Sequence, residues 1–296
     1  MVSDAREARH FAEKDLGGGG SGLREPASDP RVTVIIPACG AGEAIVGVLD
    51  RLFESVTLSC EVLVVADGPH DPTLEVAMDY AERESRVGCL VNRYNGGSAN
   101  SIRSGMEAAN AEVIVVTMPD GQDDLRQIDD LARLVERGCA VAAASRYMHG
   151  GQVAGAPRMR GIMSRGACRS LQIFTRLGTS DATNSFKACS AAFARRAGID
   201  SQYGFDIGIE LAAKARRLRL PIAEIPTIGV DHLSELSALK VARWIPGYLR
   251  WYCFCFGPRL TLAEVRAKAS ASGAACSLAG ALPPPLAPVL ESGSSN

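Results

Sequence analysis

Glu112-Val113-Ile114-Val115-Val116-Thr117-Met118-Pro119-Asp120-Gly121-Gln122-Asp123-Asp124 is a β-branched run that stops at a proline and turns into an acidic loop. A run this short, bounded by turn formers, reads as a strand buried on both faces. Four further runs carry the same signature: Val32-Thr33-Val34-Ile35-Ile36 before Pro37, residues 61–66 before Asp67-Gly68, residues 87–91 and residues 140–144. Between them the spacing predicts helices. Residues 43–54 place Ile45, Val48, Leu49 and Leu52 on one stripe, and Asp71 caps a helix with Pro72 at its first position. Residues 98–109 and 125–136 supply two more. Strand and helix in strict alternation predict an α/β, Rossmann-like fold with a mostly parallel sheet flanked by helices and joined by right-handed crossovers. Ligands bind such sheets beyond the carboxyl ends of the strands, so residues 37–42, Asp67 and Asp120 mark the functional edge.

The 296 residues carry 32 basic and 33 acidic side chains, a formal charge of −1, with 47% of residues apolar and 22% charged. That composition supports a large core and excludes wholesale disorder, while offering no broad basic footprint for nucleic acid. Residues 1–30 are polar and glycine-rich, and residues 263–296 are Ala, Ser, Gly and Pro. A flexible N-terminal segment, a folded domain over 31–262 and a disordered tail over 263–296 are therefore expected. No uninterrupted apolar run is long enough to span a bilayer, and acidic residues stand where a signal peptide would be hydrophobic, so a cytoplasmic protein is expected. The nine scattered cysteines predict reduced, buried thiols, and Cys253 and Cys255 have no Cys or His partners in a zinc pattern.

No dinucleotide fingerprint follows the first strand, no phosphate-binding P-loop motif occurs, and no Ser/His/Asp constellation is recognisable. The acidic loop has two readings: Asp120 and Gln122 supply oxygen ligands to Mg²⁺ or Mn²⁺ on a nucleotide diphosphate, or the loop is a solvent-facing helix cap. Asp67 either accepts hydrogen bonds from a nucleobase or is a turn residue, and Asn95-Gly96-Gly97-Ser98 forms a backbone nest at a helix start. Arg146, then Arg158, Arg160, Ser164, Arg165 and Arg169 on one helix, either clamp phosphates or line a solvated face. Glu210, within an apolar stripe, needs a backbone amide or an arginine as partner if buried.

Taken in order, residues 32–37, 62–73, 95–105, 118–125, Ser145-Arg146-Tyr147, 181–187 and 207–211 resemble the family-2 glycosyltransferases of GT-A fold. The resemblance spans about residues 31–255 and is to the branch of polyprenyl-phosphate glycosyltransferases that includes dolichyl-phosphate mannosyltransferase. It implies an inverting transfer from a GDP- or UDP-linked sugar donor to a polyprenyl phosphate. It places Pro37 and Asp67 at the nucleotide, and Asp120 and Gln122 at the second and third positions of a D-x-D-x-Q metal loop. Met118 takes the first position, and a thioether is a poor ligand for a hard cation. Arg146, Arg160 and Ser164 match positions that hold the acceptor phosphate and donor pyrophosphate.

Two departures accompany the match. Cys39-Gly40-Ala41 replaces the aromatic, amide and glutamate that frame the nucleotide, and His232 stands for an arginine before Ser237-Ala238-Leu239-Lys240. A phosphate nucleophile is already anionic and needs no base, whereas a hydroxyl acceptor does, with Asp181 the leading candidate. Residues 241–256 are rich in aromatics and arginines and read either as a membrane-interface segment, which would put the protein peripherally on a cytoplasmic membrane face, or as ordinary packing. Three functions stay in competition: transfer to a lipid phosphate, transfer to a soluble hydroxyl acceptor, and sugar-nucleotide binding on a catalytically decayed scaffold.

Overall fold

A computed structural model describes residues 29–38, 40–94, 96–154, 158–202, 204–230 and 238–279. The N-terminal segment, Asn95, the Asp231-His232 pair and the tail beyond residue 279 lie outside the described residues, as do the side chains of Arg158 and Arg160.

Every run read as a strand is one: β1 (Val32–Ala38), β2 (Cys60–Ala66), β3 (Val87–Val91), β4 (Val113–Val116) and β5 (Val141–Ser145). Helices α1 (Ala44–Ser55), α2 (Pro72–Arg83) and α3 (Ser98–Ala108) connect the first four. A short 3₁₀ turn (Leu125–Gln127) and α4 (Ile128–Glu136) lead to β5. β1 pairs in parallel with β2 and β4, and β2 with β3. Side chains alternate between faces: Val34 and Ile36 join a cluster with Ile45, Val48, Leu49 and Leu52 of α1, while Ile35 joins Ile102 and Met106 of α3 on the other side. Gly105 permits that second contact, because a Cβ there would lie 2.7 Å from Ile35 Cγ2.

The second half of the chain departs from simple alternation. After β6 (Gln152–Ala154) and the long helix α5 (Arg158–Thr175) comes β7 (Lys187–Ser190), which inserts antiparallel between β4 and β5. Helices α6 (Ala191–Ala197) and α7 (Ile207–Leu218), strands β8 (Ile222–Pro226) and β9 (Ile228–Val230), and α8 (Ala238–Phe254) complete the order β3-β2-β1-β4-β7-β5-β8, with β6 and β9 paired in a separate ribbon. Lys187-Ala188-Cys189 has no strand period of its own; its neighbours supply both ladders, and Lys187 is buried.

The expectation that order ends near residue 262 is corrected. Helix α9 (Leu262–Ala279) follows, and it buries Val265 and Ala269 against Trp251, Phe254 and Ile209. Its alanines and serines carry little apolar moment, so the composition resembles a linker, yet alanine is the best helix former, and these apolar contacts together with Arg266 donating to the Arg195 and Arg196 carbonyls anchor the helix. Glu264 and Thr261 close its start, with Thr261 N–H donating to Glu264 Oε2 at 2.8 Å. Val265→Ala is expected to lower the unfolding free energy by about 2 kcal/mol in urea titration, whereas no change would mean that α9 adds nothing to the core.

Candidate active site

Because β1, β2, β4 and β5 run parallel, their carboxyl ends share one edge; antiparallel β7 brings its amino end, with the preceding loop 179–186, to the same place. Asp67 follows β2. Its Oδ1 accepts from the Gly97 backbone N–H at 2.6 Å and from Ser101 Oγ at 3.3 Å, at the start of α3. A Cβ on Gly96 would stand 3.0 Å from Oδ2, and Gly97 has φ +129°, so these two glycines let the turn close on the carboxylate. Asp71 fixes the adjoining loop: it caps α2 through Thr73 N–H at 2.9 Å and also accepts from the Gly40 and Asp67 backbones. Burial works against its charge, but those backbone donors win and hold its carboxyl below the usual range. Pro37 lies inside β1, opposite Val65 and buried, so it shapes the floor of this edge and offers no open surface.

The acidic loop after β4 divides its labour. Asp123 turns back to accept from Thr117 Oγ1 at 2.8 Å and Met118 N–H at 3.0 Å, and Asp124 caps the following 3₁₀ turn. Asp120 is exposed and accepts from the Gln122 backbone N–H at 3.1 Å. Gln122 Oε1 is buried without a hydrogen-bond partner in the protein. An orphaned amide oxygen beside an exposed carboxylate fits a hard divalent cation, since Mg²⁺ or Mn²⁺ takes one or two protein oxygens and fills the rest with water and phosphate. Among the described residues no cluster of three His, Cys, Asp or Glu side chains could hold a metal by itself.

Arg146, at the end of β5, is bound rather than presented. Its Nε and Nη2 grip Asp181 Oδ2 and Oδ1 at 2.7 and 3.0 Å, and its backbone N–H donates to the same carboxylate. Asp181 is fully buried; burial raises its pKa and Arg146 lowers it, with the net below the ordinary carboxylate range. The same ion pair outweighs burial at Arg146 and keeps the guanidinium charged. Asp181 also accepts from Asn184 N–H at 3.1 Å and Thr183 Oγ1 at 3.2 Å. The general-base role read for Asp181 from the sequence finds no support in this geometry, because its lone pairs are spent on these donors and an arginine suppresses its basicity. Ser164, on α5, accepts from the Tyr147 hydroxyl at 3.0 Å and lies 3.4 Å from Thr183 Oγ1, which joins it to the same network. Arg165 lies 5.9 Å from the Tyr147 ring centroid.

Three further groups at this edge, buried Lys187 and Asp206 and half-buried Glu224, received no role of their own from the sequence. Lys187 donates to the Ala182 and Asn184 carbonyls and is pushed down to about 8 by burial, against the pull of Asp181. Glu224 of β8 accepts from Ser180 N–H at 2.7 Å and Thr179 Oγ1 at 3.1 Å, tying down the start of the loop. Asp206, before α7, is 4% exposed with Oδ1 unpartnered, and burial followed by the nearby Glu210 pushes its pKa up to about 7. A Cβ on Gly247 of α8 would meet Asp206 Oδ2 at 2.6 Å, and Gly97 faces the Gln202 carbonyl in the segment just before it. Its signal in the sequence was a carboxylate flanked by Phe205 and Ile207. Glu210, by contrast, is structural: it accepts from the Asp200 and Ser201 backbone at 2.7 and 2.9 Å and pairs with buried Lys214 at 2.6 Å, which supplies the amide partners anticipated for it.

With this geometry in view, the comparisons with known proteins are direct. The family model described as Glycosyl transferase family 2 matches residues 33–204, and the chain belongs to that family. Glycosyltransferase AglD of Haloferax volcanii is 28% identical over 208 residues, 68% of this chain and 33% of the relative. The dolichol-phosphate mannosyltransferase of Pyrococcus furiosus is 28% identical over 227 residues, 74% of this chain and 62% of the relative. The chain thus spans a third and less than two thirds of the lengths of these relatives. Among solved structures, the mannosyltransferase PcManGT from Pyrobaculum calidifontis, in complex with GDP-Man and Mn²⁺, superposes with a TM-score of 0.55 at 17% identity, covering 95% of this chain and 84% of that one. The fold is accordingly the Rossmann-like GT-A fold.

Two outcomes test the site's electrostatics. Folded Asp206 keeps its proton to about pH 7 while an unfolded aspartate loses it near 4, so the folded state binds more protons between those values and this group's contribution to stability falls as pH rises through that window. In urea titrations, the stability of Asp206→Asn relative to the native chain is expected to improve steadily from pH 4.5 to 7.5. Arg146→Ala leaves a buried carboxylate unpaired and is expected to cost about 3 kcal/mol or more. The double variant R146M/D181L is expected to recover part of that loss, measured the same way.

Proposed function

We propose that the chain transfers a sugar from a nucleoside diphosphate sugar, with inversion, to an acceptor hydroxyl. The donor half rests on one observation: Asp67, Asp120 and the orphaned Gln122 Oε1 stand on loops at the same carboxyl edge. The Asp67 carboxylate, held by the glycine turn, is set to accept from a nucleobase N–H. Asp120 and Gln122 would hold Mg²⁺ or Mn²⁺, with no part for Met118. When bound, that cation neutralises charge on the departing diphosphate. The Arg146–Asp181 pair acts as a positioning device that fixes loop 179–186, rather than as a free phosphate clamp.

The acceptor half rests on Asp206. A hydroxyl must lose a proton as it attacks, and a carboxyl whose pKa stands near 7 is matched to that task at neutral pH. Gln202, four residues before Asp206, faces the Gly97 turn, and Gly208, two residues after it, packs on the Asn184 carbonyl. In the proposed step, the acceptor oxygen forms a bond to the anomeric carbon, the bond to the diphosphate breaks with its electron pair, and the proton passes to Asp206. A second reading, a polyprenyl phosphate acceptor that needs no base, is favoured by the match to the Pyrococcus mannosyltransferase.

Calorimetric titration with GDP and UDP is expected to show binding that strengthens with Mn²⁺, and Asp120→Asn is expected to weaken that metal-dependent part at least tenfold. Mass-spectrometric product detection from mixed UDP- and GDP-sugars then separates the acceptors. Transfer to small hydroxyl acceptors that Asp206→Asn abolishes supports the first reading, and transfer to polyprenyl phosphate that survives Asp206→Asn supports the second. Nucleotide binding with no product from any acceptor would reject both and leave a binding protein on a transferase scaffold.

A further inference from the structure

Five of the eleven large hydrophobic side chains exposed among the described residues sit on two neighbouring helices or just beyond the end of one. Ile173 and Phe174 of α5 are 58% and 73% exposed, Ile245 and Leu249 of α8 are 56% and 55% exposed, and Phe256 follows at 39%. The helices touch through a 2.8 Å hydrogen bond between Ser170 Oγ and the Tyr252 hydroxyl, and beneath it Cys168 and Leu171 pack with Trp251, Phe254 and Cys255. Phe174 lies one turn beyond Ser170. Phe256 lies one turn beyond Tyr252, with the two rings 5.4 Å apart, so the exposed groups gather along the seam.

The charge on these helices is one-sided. α5 contains Arg158, Arg160, Arg165 and Arg169, α8 contains Lys240, Arg243 and Arg250, and neither holds an Asp or Glu, in a chain whose total charge is −1. Arg165, Arg169, Ile173 and Arg176 follow helical spacing along one stripe and are all exposed. Arg250 is turned inward toward the Asp200 carbonyl and serves packing. No helix among the described residues is long and apolar enough to cross a membrane.

We propose that the seam of α5 and α8 is a docking face for a lipid bilayer with anionic headgroups. A bilayer surface asks for this combination: apolar side chains that enter the acyl boundary, arginines at the headgroup level, and no carboxylates for the surface to repel. The face lies close to the site, because Phe174 stands ten residues along α5 from Ser164, about 15 Å at 1.5 Å per residue. Docking there would hold the sugar-transfer edge beside the membrane whichever acceptor it takes.

The test is co-sedimentation of the full chain, without substrate, with phosphatidylcholine vesicles and with vesicles that also contain phosphatidylglycerol. Binding to the anionic vesicles is expected, with a loss of at least tenfold in the double variant F174D/L249D. Both positions are more than half exposed, so its circular dichroism and nucleotide binding should match the native chain. Arg169→Glu with Arg176→Glu is expected to weaken binding to anionic vesicles alone, and added salt to do the same. Sedimentation no greater than in vesicle-free controls, or full binding by F174D/L249D, overturns the proposal. So does self-association in light scattering that F174D/L249D abolishes while no vesicle binds. Because no sugar donor is used, any of these failures leaves the transferase reading intact.

Discussion

The buried bidentate pair between Arg146 and Asp181 organises the second half of the molecule. β5 is followed directly by the arginine, and the aspartate stands in the loop that leads into β7, the strand that runs against its neighbours. A charged pair with the carboxylate at 0% exposure is stable only if its other lone pairs are met, and Asn184, Thr183 and the Arg146 backbone meet them. Lys187 beneath and Glu224 beside then hold the same loop through carbonyls and hydroxyls. The result is a rigid wall on one side of the sheet edge, opposite the glycine turn that holds Asp67.

Between these two walls the acidic groups divide their labour. The acidic loop contains three carboxylates, of which Asp123 and Asp124 are spent on the loop's own shape, while Asp120 stands exposed next to an orphaned amide oxygen. The edge holds one carboxyl raised toward neutrality, at Asp206, and one depressed by an arginine, at Asp181. Asp181 and Asp206, 25 residues apart in the chain, are thus driven in opposite directions, one by an ion pair and the other by burial.

Much of this was legible in the sequence. The five parallel strands, the α1 stripe of Ile45, Val48, Leu49 and Leu52, and the cap at Asp71 all follow from local rules of period and turn chemistry. Asp67 and Asp120 were found because they follow buried strands, where a polar residue is unexpected. Less legible were β7, whose Lys187-Ala188-Cys189-Ser190 has no strand period of its own, and α9, whose alanines read as linker. The nine cysteines were expected to be buried thiols; each of the seven described is free, but Cys89 and Cys139 are half-buried and Cys253 is exposed.

The sequence by itself determined the order of strands and helices, the edge at which function sits, and the family to which the chain belongs, because those depend on short-range patterns that a reader can sum along the chain. Tertiary structure alone decided what each acid at that edge does. The fate of Asp181 and Asp206 turns on Arg146, 35 residues away from one, and on Gly247, 41 residues from the other. Burial and Coulombic attraction act through space, so no spacing rule could rank the two. The same holds for the apolar seam of α5 and α8, which exists only because two distant helices pack with their exposed residues on one side.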